Sequence, residues 1–148
     1  MAAIEKMYEK YGEVCHLAHM LEVEIGNISA MNSLVMNKDK YEKASASERL
    51  EILSKHSYGI SLGRLLKDIG ETIGNTKAID TIFEPALTER NRLIHDFYYG
   101  YREEIKSAEG REIIIQDLAR TRAIIANALS TANSFSGELM KLFPVNQS

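Results

Sequence analysis

Cysteine is nearly absent from this chain of 148 residues: Cys15 stands alone and cannot close an internal disulfide. With one thiol and no basic-then-apolar start, the expected setting is a reducing cytoplasm. No uninterrupted apolar run approaches the roughly 18 residues that mark a membrane span, so no membrane partner is expected. Charge of one sign is not in excess either. The 18 Lys and Arg against 21 Asp and Glu leave a net charge of −3. That balance excludes broad attraction to a polyanion, and any RNA contact must come from a local cluster of cations. A phosphate loop, a dinucleotide fingerprint and a nucleophile elbow are all missing, so those chemistries have no support. Proline (2) and glycine (9) are sparse and fall mostly outside the periodic segments, which points to helices throughout. What remains is 45% hydrophobic and 26% charged, ordinary for a globular chain. Its length suits one domain over residues 1–148, burying roughly 70% of its unfolded surface.

The periodic segments give the layout. Over residues 3 to 36, Ile4, Tyr11, Ala18 and Ile25 recur every seven residues, with Met7, Val14, Leu21, Ile28 and Val35 between them. This seam predicts a helix on the order of 50 Å long, interrupted at Asn32 near its end. The polar stretch 37–40 reads as a loop. Ser45 and Glu48 have capping-box spacing, so a second helix starts there with Leu50, Ile52 and Leu53 as its apolar residues. His56 falls in the turn that breaks it. A short helix carrying Ile60, Leu62, Leu65, Leu66 and Ile69 should end among Gly70, Gly74 and Asn75. A further helix spans about 77 to 99, with Ile79, Ile82, Phe83, Ala86, Leu93 and Phe97 as its stripe and Pro85 starting or kinking its regular part. The last runs from about 108 to 143, burying Ile114, Leu118, Ile125, Ala128, Ala132, Phe135 and Leu139. Long helices at both ends with shorter ones between predict an all-α fold, a four-helix up-and-down bundle with an additional short helix.

Within the helix at 77–99, Glu89-Arg90-Asn91 is followed by His95-Asp96. A guanidinium that can grip a phosphate and an imidazole that can move protons near neutral pH are two requirements of RNA cleavage without metal. At 100° per residue Arg90 lies within about 20° of the apolar stripe, whereas Arg90 and His95 stand about 140° apart. One helix would struggle to bring both to one phosphate. Two copies about a two-fold axis could form a shared cleft. His95 would act as base on a ribose 2′-hydroxyl or as acid on the leaving 5′-oxygen, and Arg90 would neutralise the phosphate. Asn91 would hold His95 or the phosphate by hydrogen bonding. The products are a 2′,3′-cyclic phosphate and a 5′-hydroxyl, with no metal or other cofactor. The competing reading is an inter-helix salt bridge from Arg90 to a carboxylate, with His95 half exposed.

These residues resemble the Arg-x4-6-His signature of HEPN domains, in the form with Asn directly after Arg. The resemblance covers residues 89 to 96 by identity and most of the chain by helical layout. It implies a HEPN-type bundle, a homodimer with a composite site, and a metal-independent endoribonuclease of the toxin or defence class. It implies equally a second possibility, since many HEPN modules cut nothing and bind a protein partner in an immunity, antitoxin or regulatory role. HEPN toxins paired with a nucleotidyltransferase antitoxin carry Tyr two positions after the His. Here Phe97 stands there, followed by Tyr98 and Tyr99, so control by adenylylation of that position is not expected.

Other clusters are weaker. Cys15, His16, His19 and Glu22 have helical spacing that invites zinc, but the heptad frame turns them outward, and a solvated or dimerising face accounts for them better. Arg64, Lys67, Arg92, Arg102, Lys106 and Arg111 could frame an RNA groove, although solvated charge is the commoner explanation. Tyr98, Tyr99 and Tyr101 beside Arg102 could stack on unpaired bases or simply pack the helix end. Arg92, Tyr98, Tyr99 and Arg102 are the RNA-binding candidates.

Overall fold

The structure, a computed structural model, describes residues 3–54 and 61–142, the side chains of 52–54 excepted. All of its regular elements among these residues are helical. The heptad seam forms α1 (Ile4–Met36), burying Met7, Val14, Ala18, Leu21, Ile25 and Ile28. Asn37 ends it: its backbone N–H and its Nδ2 both donate to Ser33 O, at 3.0 and 2.9 Å. The stretch expected as a loop instead forms a short helix, α2 (Lys38–Glu42), whose first turn closes from Tyr41 N–H to Asn37 O at 2.8 Å. A polar run of good helix formers needs no buried face for a single turn. In α3 (Ala46–Ser54) the Ser45 hydroxyl accepts from Glu48 N–H at 3.3 Å, the forward half of the expected box. Leu50, assigned to its apolar side, is 69% exposed. The expectations for His56 and Ile60 lie outside the described residues.

Helix α4 (Leu62–Ile73) starts at Ser61, whose Oγ accepts from Arg64 N–H, and buries Leu65, Leu66 and Ile69. It ends at Gly74, which takes the left-handed φ of 80° that closes a helix without a Cβ penalty. Gly70 stays inside α4. A Cβ there would lie 2.6 Å from Ile79 Cγ1, so the missing side chain is what lets the next helix approach.

That next helix, the motif helix, runs over 76–100, one residue longer at each end than its periodicity suggests. It is not uniform. Two π turns, Ile79–Phe83 and Arg92–Asp96, flank the α-helical stretch Glu84–Asn91. The first has a visible cause in Pro85, which offers no N–H and crowds the carbonyl four residues back, so regular helix resumes only beside it. After a 3-10 turn (Glu104–Lys106) comes the last helix (Ala108–Leu142), where all seven predicted core residues are buried.

One hydrophobic cluster runs through these helices. The motif helix descends against α1, with Tyr98 beside Tyr8 and Arg90 beside Glu22. It descends against the last helix too, with Phe83 on Phe135 and Arg92 on Asp117. By contrast α1 and the last helix run in the same direction. Glu13 and Leu118 line one crevice, Val23 and Leu129 the next, and Met31 meets Ser136. The first and last of four alternating helices would be antiparallel, so the expected up-and-down order is not what these two long helices show. Among the described residues no helix is long and apolar enough to cross a membrane.

Candidate functional site

Arg90 leaves the apolar stripe sideways, toward α1. Its Nε donates to Glu22 Oε1, and its Nη1 donates to Asn91 Oδ1 at 2.7 Å. Both partners of the ion pair remain 25% exposed, so the cation is neutralised at the edge of the core and not sealed within it. For this side chain the salt-bridge reading describes what is seen. Glu22, taken as part of an outward face, had no sequence signal pairing it with Arg90. Asn91 faces Arg90, and no bond to His95 is made. His95 is exposed and has no hydrogen-bond or ion-pair partner among the described residues.

The π turn at 92–96 alters the geometry assumed for a regular helix. Its hydrogen bonds span five residues, so residues five apart are drawn toward a common face. Arg90 and His95 are five apart, with this turn between them. A turn of that pitch narrows the 140° that an ideal helix sets between residues so spaced. The widened turn also misaligns backbone carbonyls, and one of them, Leu93 O, accepts from the Tyr11 hydroxyl of α1 at 2.8 Å. Burial, with Cys15 and Tyr98 nearby, pushes that hydroxyl well above the usual tyrosine range, so it stays a donor. Helix α1 thus touches the motif segment twice, by Tyr11 at the π turn and by Glu22 at Arg90.

Arg92 is held on the other side. It donates to Glu89 Oε2 from Nε and Nη2 at 3.0 and 2.8 Å, to Thr121 Oγ1 at 2.9 Å, and pairs with Asp117 at 2.8 Å. Arg120 bridges Glu89 and Asp117, at 3.0 and 2.9 Å, while Tyr101 donates to Asp117 Oδ2 at 2.6 Å. Burial opposes ionisation of both carboxyls, but the bonds from Arg92 and Arg120 to Glu89, and from Tyr101, Arg120 and Arg92 to Asp117, outweigh it. Both are held below the usual carboxylate range. Burial and Asp117 push the Tyr101 hydroxyl up to about 12. This cluster fastens the motif helix to the last helix. A guanidinium so fully occupied has little left for a phosphate, so Arg92 acts here as a structural clamp.

Of the other candidates, Tyr98 packs against Tyr8, Tyr11 and Phe97, with 38% of its surface left exposed. Tyr101 packs on Phe97 at 5.2 Å. Tyr99 is 74% exposed, and Arg102 lies over its ring at 4.7 Å while donating to its carbonyl at 3.2 Å. Among these candidates that pair offers the most exposed stacking surface. The basic groove does not assemble: Lys67 lines a crevice with Glu71, Asp80 and Glu84, Lys106 pairs with Glu103, and Arg111 donates to Ile105 O. His16 and His19 are exposed, and among the described residues no group of His, Cys, Asp and Glu could hold a metal ion.

In chemical terms the segment presents a half-exposed cation with a displaceable carboxylate on it, an unpartnered imidazole one π turn away, and an exposed Tyr–Arg stack beyond. No family model matches this chain, and neither the curated proteins nor the solved structures contain a match.

Proposed function

We propose that this protein is a HEPN-type helical bundle that acts as a homodimeric, metal-independent endoribonuclease. The observation that carries the reading is the free, exposed His95 separated from Arg90 by a π turn, in a helix clamped on both sides. π turns occur frequently at functional sites, where they aim side chains that a regular helix would turn away. Arg90 binds the phosphate, which takes the place of Glu22 on the guanidinium. The pair is only 25% exposed on either side, so releasing Glu22 costs more than the roughly 0–1 kcal/mol of a surface pair, and the charge that builds on the phosphate in the transition state offsets it. His95 removes the 2′-hydroxyl proton or protonates the leaving oxygen, and the two-fold partner supplies the second member of each Arg/His set. Tyr99 and Arg102 are suited to hold an unpaired base. Expression of the protein alone should arrest growth, and His95→Ala should relieve the arrest while leaving helical content and thermal midpoint unchanged. Equal toxicity of the variant would remove His95 from the chemistry.

A second reading is favoured by the Arg90–Glu22 pair itself: a non-catalytic module whose motif is a structural bridge and which binds a cognate toxin, antitoxin or immunity partner. On that reading expression is harmless, and the protein co-purifies with the product of a neighbouring gene.

A further inference from the structure

At the far end of α1 from the motif, a cleft of about 490 Å³ opens between α1 and α4. Asn32 and Ser33 line it, at 7% and 3% exposure. The Asn32 Oδ1 and the Ser33 Oγ are buried with no hydrogen-bond partner among the described residues. Orphaned polar atoms are rare in native interiors and ask for an explanation, commonly an absent ligand or water. Two carboxylates, Asp68 and Glu71, stand on the same cleft, and among the described residues no ion pair or hydrogen bond engages either carboxylate. The remaining wall includes Met36 and Leu65, which are apolar.

We infer that this cleft binds a small organic cation, a primary ammonium on a short methylene stem. Asn32 Oδ1 and the two carboxylates can only accept, and the Ser33 hydroxyl, which donates as well, can also accept, so one positively charged donor suits all of them. An ammonium has three donors and no acceptor, enough to meet Asn32 Oδ1, Ser33 Oγ and one carboxylate together. The stem would lie against Met36 and Leu65, as buried methylenes do. A hydroxyl-terminated molecule of the same length would meet the orphans but gain nothing from the charge of Asp68 and Glu71, both exposed. The site is independent of the ribonuclease reading, since it shares no residue with the motif.

The probe is 1,4-diaminobutane, titrated into the full-length protein by calorimetry and by thermal unfolding, with 1,4-butanediol as the neutral match. The diamine should bind saturably and raise the melting temperature in step with its concentration, while the diol should do neither. Asp68→Asn with Glu71→Gln, at exposed positions where folding is not at stake, should weaken binding by at least about tenfold. Asn32→Leu should abolish binding. If that variant fails to fold, the carboxylate pair decides alone. No saturable heat, or equal shifts from diamine and diol, or binding undiminished in the double variant, would each overturn the proposal and leave a cleft filled by water.

Discussion

Arg90 is shared between two oxygens, one from Glu22 across the interface and one from Asn91 beside it. The exchange of the first for a phosphate is the step on which catalysis would turn. Glu22→Gln removes the competing charge and keeps the shape. On the ribonuclease reading it should lower KM for RNA by about fivefold, the equivalent of roughly 1 kcal/mol, with kcat little changed. Its stability should fall by less than about 1 kcal/mol. Steady-state cleavage kinetics check this, and an unchanged or raised KM would mean that Glu22 does not contest the phosphate. At Leu93 a similar logic holds without charge, because the Tyr11 hydroxyl meets a carbonyl that the π turn turns aside.

Among the elements, the motif helix is the one whose sequence and structure differ most instructively. Its stripe from Ile79 to Phe97 and its limits were readable to within a residue, because burial of one face follows from apolar spacing. The seven core residues of the last helix were readable for the same reason. The two π turns were not, since an angular projection assumes 100° at every step; only Pro85 hinted at the first. Glu22 was missed because a residue's partner on another helix depends on how two surfaces slide together, which neither sequence alone specifies. The clamp at Glu89, Arg92, Asp117 and Arg120 was hidden likewise, and Arg92 was read as RNA-facing for want of its partners. This clamp makes a pH-dependent contribution. Both carboxyls titrate below their ordinary values when folded, so the native state binds fewer protons than the unfolded chain. The stabilisation is complete above about pH 5 and is lost as pH falls through about 4 and below. Asp117→Asn should cost about 1–3 kcal/mol at pH 7 and flatten the acid limb, as read from urea midpoints between pH 3 and 7. An acid limb as steep in the variant as in the native chain would show that these carboxyls do not govern it.

The whole molecule sets the boundary conditions. Its net charge of −3 offers no general attraction to RNA, and Arg92, Lys106 and Arg120 are engaged by carboxylates. On the ribonuclease reading, recognition is therefore local, at Arg90, His95 and the Tyr99–Arg102 stack, and doubled by a two-fold partner if both halves of the motif are to reach one phosphate. α1 and the last helix pack directly on each other, and the motif helix lies against both, held by Tyr11 and Glu22 on one side and by Asp117 on the other while His95 stays outside. The decisive measurement is the cleavage of a defined RNA by the purified protein in a chelator, with the fragment ends identified by mass. The ribonuclease account predicts 2′,3′-cyclic phosphate and 5′-hydroxyl ends, lost in both Arg90→Ala and His95→Ala at unchanged thermal stability. Intact RNA with the native chain, or equal cleavage by the two variants, would contradict it.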